Sequence, residues 1–308
     1  MNSLNLCKNP YTNTNEFINQ AIDASLELPL DIRKKLTDFR QYSNHDGYLL
    51  FKDISQENNL IETPYFHEDI KHKKNYTSES TLAIFGSYLG YLYSYKQESN
   101  GNIFNNIRPT AKNEKLQSSE SSDILLELHK EIAFHDISPD FILLYCLRED
   151  RTAKALTGVA SIRNALQFLD SSSIAELRKP QFLIGVDYSF SPSKGKNHDK
   201  KISVLNGPLD DPYLIYDADL IKPMNDQAKD AIHKLDGALR KVMNWVSMKS
   251  GDLLIIDNNK SVHSRTAFQA FYDGYDRWLQ RCFIKKCKVS SEVLLSHKLE
   301  MVDINYSF

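Results

Sequence analysis

The sequence predicts a chain that is mainly β with flanking helices, and three observations predict it. Short apolar runs bounded by turn residues, such as FILLYCL (141–147) and DLLIID (252–257), read as buried strands. Between residues 181 and 219 the β-compatible pieces QFLIGVDYSF, ISVLNG and YLIYD are separated by Gly, Pro and Asp, which suits a barrel built from short strands. Helical spacing of apolar residues is concentrated before residue 95 and after Asp226.

Taken in order, residues from Asn15 to about Tyr42 carry apolar side chains at helical spacing interrupted at Pro29, which predicts two helices. DGYLLFKDI predicts a strand, and STLAIFGSYLGYLYSY (80–95) a third helix. KQESNG (96–101) is a turn-rich break that leads into a polar loop ending near Ser122. LLELHKEIAF and FILLYCL then predict two strands joined by a turn at HDISPD, followed by a helix over TGVASIRNALQFLD. From Asp226 a long amphipathic helix sets Ile232, Leu235, Leu239, Val242 and Val246 on one face. There is no internal repeat, and no composition shift divides the 308 residues. One elaborated domain is expected, with a helical part over about 1–122 and a core over about 123–290.

Composition narrows the function. An apolar fraction of 41% supports a sizeable core, while 38 basic against 40 acidic residues give a net charge of −2 and favour neither nucleic acid nor an anionic membrane. The N-terminus lacks a charged-then-apolar leader and no apolar run approaches the ~20 residues of a membrane span, so a cytoplasmic protein is expected. Cys7, Cys146, Cys282 and Cys287 form no CxxC pair and are expected as reduced thiols.

The chemistry is concentrated in ELHKEIAFH (127–135). In an extended segment residues two apart share a face, so His129 and Glu131 can converge on one ion while Lys130 turns away. Two histidines and one carboxylate make the facial triad of a non-haem iron site. A third ligand is available in GDLLIIDNNKSVHSRTAF, where a strand and turn present His263. Arg277 follows fourteen residues later and Arg281 four beyond that. Such a site holds a 2-oxo acid co-substrate whose far carboxylate needs a planar bidentate clamp, which guanidinium supplies. Each residue also has a plainer reading: hydrogen-bonded core histidines, and an Arg277 paired at the surface with Asp276. The remaining histidines show no second ligand set, and HEDIKH (67–72) reads as a solvated polar stretch.

The segments LLELHKEIAFHDISPDFILLYCLRED, GDLLIIDNNKSVHSRTAF and DGYDRWLQR resemble the clavaminate synthase-like branch of Fe(II)/2-oxoglutarate-dependent oxygenases, amino-acid hydroxylases that act on free arginine, asparagine or lysine. The resemblance runs from about Gly90 to Phe283, roughly two thirds of the chain. It implies a double-stranded β-helix (jelly-roll) core. It also implies Fe(II) held by His129, Glu131 and His263, with 2-oxoglutarate and O2 consumed and succinate and CO2 released. Arg277, helped by the Thr157 hydroxyl, would take the distal carboxylate of 2-oxoglutarate. Arg281 would meet the substrate α-carboxylate and Gln97 its α-amino group, with Glu131 facing substrate as well as metal.

Two departures refine this. Lys130 stands where the family usually has Thr, but on the face away from the metal. Where arginine hydroxylases of the branch carry a DxD pair, this chain reads IYD, with Ile215 in place of the first acid and Asp217 as the second. A lone carboxylate suits a compact ammonium better than a forked guanidinium, so free L-lysine is the expected substrate, with C4 favoured over C3; L-arginine or L-asparagine is the alternative. Glu131 fills the position that a halide would need, which argues against halogenation. A zinc hydrolase would have no use for the Arg277 clamp, and a non-catalytic ligand-binding barrel would release no succinate. The expected partner is a small free amino acid, and self-association into a homo-oligomer is compatible with the sequence.

Overall fold

The computed structural model describes residues 4–66, 70, 72–187, 190, 198–289, 294–296 and 301–303; most of HEDIKH and all of His297 lie outside them. The first helices are α1 (Thr14–Leu26) and α2 (Leu30–Tyr42), divided at Pro29 as its missing N–H predicts. Strand β1 (Tyr48–Phe51) precedes α3 (Thr77–Leu89), β2 (Tyr91–Tyr95) and β3 (Asn105–Ile107). Next come β4 (Leu126–His129), β5 (Phe141–Arg148), β6 (Thr157–Ser161) and the short helices α4 (Ile162–Ala165) and α5 (Ser171–Leu177). Strands β7 (Phe182–Gly185), β8 (His198–Ile202), β9 (Leu205–Asn206), β10 (Tyr213–Leu214) and β11 (Ile221–Pro223) lead to α6 (Asp226–Lys241). The chain ends with β12 (Asn244–Val246), β13 (Leu253–Asp257), β14 (Ser261–Arg265), β15 (Trp278–Lys285), β16 (Leu294–Ser296) and β17 (Met301–Val302).

Two sheets carry the architecture. The larger runs β1-β13-β5-β15-β2-β17-β16, with β3 also on β15; the smaller runs β12-β6-β14-β4. The pleat of β5, β13 and β15 sorts their side chains by period two. Phe141, Leu143, Tyr145, Leu147, Leu253, Ile255, Trp278, Cys282 and Ile284 pack with Phe17, Leu36, Phe39, Leu82 and Phe85 of α1, α2 and α3. The alternate residues Ile142, Leu144, Cys146, Leu254, Ile256 and Leu279 meet Val159 and Val246 of the smaller sheet. Leu128, Ala160 and Val262 on its opposite face join Leu235 and Leu239 of α6 in a third apolar cluster. Helices, large sheet, small sheet and α6 thus stack in layers, and the space between the two sheets is where inward polar side chains collect.

Several expectations are corrected. The fold is a mixed α/β one, and among the described residues the sheets stack face to face without closing into a hydrogen-bonded barrel. The helix expected over 80–95 stops at Leu89, because the backbone of Gly90 passes so near β15 that a Cβ there would come 2.1 Å from the Lys285 carbonyl oxygen. The aromatic YLYSY beyond it pairs as β2, in keeping with the strand preference of tyrosine. Thr157–Ser161 is strand β6 and not the start of a helix; α4 begins only after Ser161, whose hydroxyl accepts from the Arg163 N–H at 3.2 Å. Val246 lies in β12, past the end of α6. That helix begins where expected, with the Asn225 side chain accepting from the Ala228 N–H at 2.8 Å.

Two glycines should respond to alanine with opposite signs. Gly90→Ala forces a backbone shift against β15 and should destabilise the protein by ~1–3 kcal/mol. Gly237→Ala, in α6 with nothing within 4 Å of the added methyl, should stabilise it by ~0.5–1 kcal/mol. Urea denaturation midpoints check both, and a neutral Gly90→Ala would contradict the close approach.

Candidate metal centre and its buried charges

Register assembles the centre. Strand β14 pairs with β4 so that His263 stands opposite His129, and with β6 so that His263 stands opposite Val159. Directly opposed residues share a face. Val159 belongs to the core between the sheets, so both imidazoles enter that space, with ring centroids 4.0 Å apart. Glu131 arrives differently from the expected shared strand face. Strand β4 ends at His129, and the carboxylate swings in from the following turn to bring its Oε2 3.6 Å from His263 Nε2. One ligand atom from each of His129, Glu131 and His263 lies within 4.8 Å of the others.

The residues present fit a divalent cation. His129 Nδ1 lies 2.8 Å from the Glu127 carbonyl oxygen, which can only accept, so the proton sits on Nδ1 and Nε2 keeps its lone pair. Glu131 Oε2 is buried with no hydrogen-bond donor. Burial alone would raise the Glu131 carboxyl, but Arg281 and the two imidazoles outweigh it and hold it at about 2. Burial, reinforced by His263, lowers His129. A deprotonated carboxylate and neutral imidazole are the forms that ligate metal. Two His and one Glu are the ligand set of the Fe(II) facial triad.

Three arginines face the same interior. Arg277 is buried, and its Nη2 donates to Thr157 Oγ1 at 3.3 Å. Among the described residues it has no carboxylate partner; Asp276 instead accepts from the Phe271 N–H at 2.8 Å and from the Tyr272 N–H. The surface-pair reading of Arg277 therefore does not hold. Arg265, paired with Thr157 across β6 and β14, donates among the described residues only to neutral oxygens, including Ser121 Oγ at 2.9 Å and the Ile124 carbonyl at 3.1 Å. Burial and then Arg277 bring Arg265 down to about 9, because the two guanidinium groups share one region. Period two from His263 is the one sequence signal that places Arg265 on the same face.

Arg281 donates from Nη1 to Glu131 Oε1 at 2.9 Å and from Nη2 to Glu98 Oε1, while Arg281 Nε and Glu98 Oε2 are buried and unpaired. Gln97, the residue singled out from the sequence, sends its amide to Asp303 Oδ1 at 2.6 Å; its neighbour Glu98 is the one that reaches Arg281. Asp217 stands opposite His129 in an isolated bridge, and its Oδ1 accepts from the Asp219 and Leu220 N–H groups at 2.9 and 3.0 Å. Burial pushes Asp217 up to about 6, and Asp187 adds negative charge there and beside Glu98. Ile215 packs against the cluster that includes Leu128. Lys130 turns away as expected, with Nζ 3.1 Å from Asn259 Oδ1.

Comparison with known proteins agrees with this centre. The family described as taurine catabolism dioxygenase TauD, TfdA family matches residues 9–283. The chain belongs to this family. Among its relatives, clavaminate synthase 2 of Streptomyces clavuligerus is 33% identical over 90% of this chain and 85% of its own. The L-lysine 3-hydroxylase of Catenulispora acidiphila is 32% identical over 87% and 75%. A solved asparagine oxygenase bound to Fe(II), 2S,3S-3-hydroxyasparagine and succinate superimposes with a TM-score of 0.87 at 28% identity, covering 93% of this chain and 89% of that one. The protein is a Fe(II)/2-oxoglutarate-dependent oxygenase with His129, Glu131 and His263 as its metal ligands.

Metal binding should be readable without turnover. Mn(II) at a hundred times its Kd should add ~2.7 kcal/mol to the stability of the metal-free protein by mass action. His263→Ala and Glu131→Ala should keep a native circular dichroism spectrum but lose that gain; an unchanged thermal shift in both would remove the triad.

Proposed function

We propose that the protein hydroxylates C3 of a free L-amino acid with a basic side chain, lysine first. The observation that carries this reading is Asp217: buried, opposite the metal ligand His129, and meeting no Lys or Arg among the described residues. A buried carboxylate without a cation favours a ligand that brings one. The charge of Asp187 on the same region adds to the preference. The L-lysine 3-hydroxylase and the solved asparagine complex are named for oxygen at C3, whereas three relatives at 25–26% identity are L-lysine 4-hydroxylases; the 32% identity of the former supports C3 over the C4 expected from the sequence. Asparagine is the second reading, favoured by that superposition, since its side-chain amide could donate to Asp217. We read the two stacked sheets as the halves of a flattened double-stranded β-helix.

His129, Glu131 and His263 would hold Fe(II). Bound Fe(II) with 2-oxoglutarate and O2 supplies the oxidising chemistry, so that one oxygen atom enters a substrate C–H bond and the other leaves in succinate as CO2 is lost. The chain supplies position. Arg277 offers a planar fork to the distal carboxylate of 2-oxoglutarate, steadied by Thr157, and Arg265 adds a second positive charge behind it. Arg281 Nε is open to the substrate α-carboxylate and Glu98 Oε2 to the α-ammonium. With both ends of the amino acid fixed, the carbon nearest the metal is set by the distance between Glu98 and Asp217.

The Glu98 role separates from that of Gln97 by mutation. Glu98→Gln removes a charged acceptor worth ~1.5–3 kcal/mol and should raise the amino-acid KM about tenfold or more, while Gln97→Ala should leave it nearly unchanged. The reverse pattern would return the α-amino contact to Gln97.

Substrate choice is tested by anaerobic reconstitution with Fe(II) and 2-oxoglutarate, admission of O2, and a panel of twenty amino acids with succinate and product NMR as readouts. Asp217→Ala strands the substrate ammonium, at ~3–5 kcal/mol, and should lower lysine turnover a hundredfold or more. Ile215→Asp should raise arginine turnover relative to lysine. A wild type that prefers asparagine, with Asp217→Ala still turning over lysine, would move the assignment to the second reading.

A further inference from the structure

We propose that Asn258 is the positioning residue for the metal ligand Glu131, its side-chain amide pairing with the Glu131 backbone as a neighbouring strand would. Strand β4 holds His129 through its pairing with β14, and the Lys130 N–H still reaches the Tyr216 carbonyl at 2.7 Å. One residue later the ladder has ended. The Glu131 N–H donates instead to Asn258 Oδ1 at 2.9 Å, and Asn258 Nδ2 donates back to the Glu131 carbonyl at 3.1 Å. The same Nδ2 donates to the Pro139 carbonyl at 2.8 Å, and the Asn258 N–H donates to the Asp140 carbonyl at 2.9 Å. Asn258 is fully buried, and its amide oxygen and amide nitrogen are both engaged.

The next residue shows why such a clamp is needed. Ile132 has φ of +54°, a left-handed conformation that a β-branched residue rarely adopts, and its side chain is buried in the core. Such a backbone persists only when its surroundings over-determine it. The turn at Ile132 takes the chain out of the strand just after Glu131, and Asn258 fixes the peptide groups on both sides of that residue. Asn258 lies between β13 and β14, five residues before His263. It therefore ties Glu131 to the turn that leads into β14, the strand that carries His263. The inference rests on the metal centre and not on which amino acid is hydroxylated.

The test is Mn(II) affinity of the metal-free protein by calorimetry, without co-substrate or turnover, alongside thermal stability. Asn258→Ala and Asn258→Asp should raise the Mn(II) Kd by about 10–100-fold, the range typical of groups that orient metal ligands. Asn259→Ala is the control: it removes hydrogen bonds of 3.1 Å with Lys130 and 2.8 Å with Asp140 from the same turn, and should lower stability while leaving the Kd unchanged. Wild-type Mn(II) affinity in Asn258→Ala would overturn the proposal. Should Asn258→Ala not fold, Asn258→Ser, which keeps an acceptor but no amide N–H, carries the same comparison with the same two outcomes. A wild type that binds no Mn(II) would overturn the metal centre itself, and this assignment with it.

Discussion

A charge taken out of water destabilises a protein by several kcal/mol unless its hydrogen-bonding and ion-pairing are met, and this one keeps several groups whose needs are only partly met in the space between its two sheets. Glu131 Oε2 has no donor, Arg277 has no carboxylate, and Asp217 has no cation among the described residues. A divalent metal would complement the first, the dianionic co-substrate proposed for Arg277 the second, and the substrate ammonium proposed above the third. The stacked sheets can carry these groups because their remaining inward positions are apolar, from Ile142, Leu144 and Leu254 on one side to Val159 and Val246 on the other.

Precision at the centre comes from ladders and not from loops. His129 and His263 are fixed by one register, and a slip of either strand by a single residue would turn its imidazole to the opposite face, into the apolar cluster formed with α6. Arg281 lies two residues beyond the inward-facing Leu279 on β15, a strand paired along most of its length with β5. The helices α1, α2 and α3 cover the back of that sheet with Phe17, Leu36, Phe39 and Phe85, so the charged face is supported by a continuous apolar one. Glu131 is the exception, held from a turn.

Much of this was legible in the sequence, for identifiable reasons. The runs at β5 and β13 and the single apolar face of α6 are strong local signals, and the spacing of HxE, His263 and Arg277 carried the metal site. Thr157–Ser161 is ambiguous in sequence because its alanine, serine and valine fit either period. What decides it is tertiary: Gly158 lies under Met243 and Trp245, where a Cβ would come 2.6 Å from the Met243 sulfur. Whether Gln97 or Glu98 faces Arg281 could not be read either, since it depends on a tight turn in which Ser99 and Asn100 both take positive φ. Asn258 gave no signal at all, because an asparagine in DNN reads as an ordinary turn residue.

The central claim is that the buried groups left short of a donor, a carboxylate or a cation among the described residues are the recognition groups for metal, co-substrate and substrate. An anaerobic crystal structure with Mn(II), 2-oxoglutarate and L-lysine tests it most directly. The account predicts metal between His129, Glu131 and His263, the distal carboxylate of 2-oxoglutarate on Arg277 beside Thr157, and the lysine ammonium on Asp217. A distal carboxylate seated on Arg281, or an Asp217 that contacts no part of the amino acid, would contradict it.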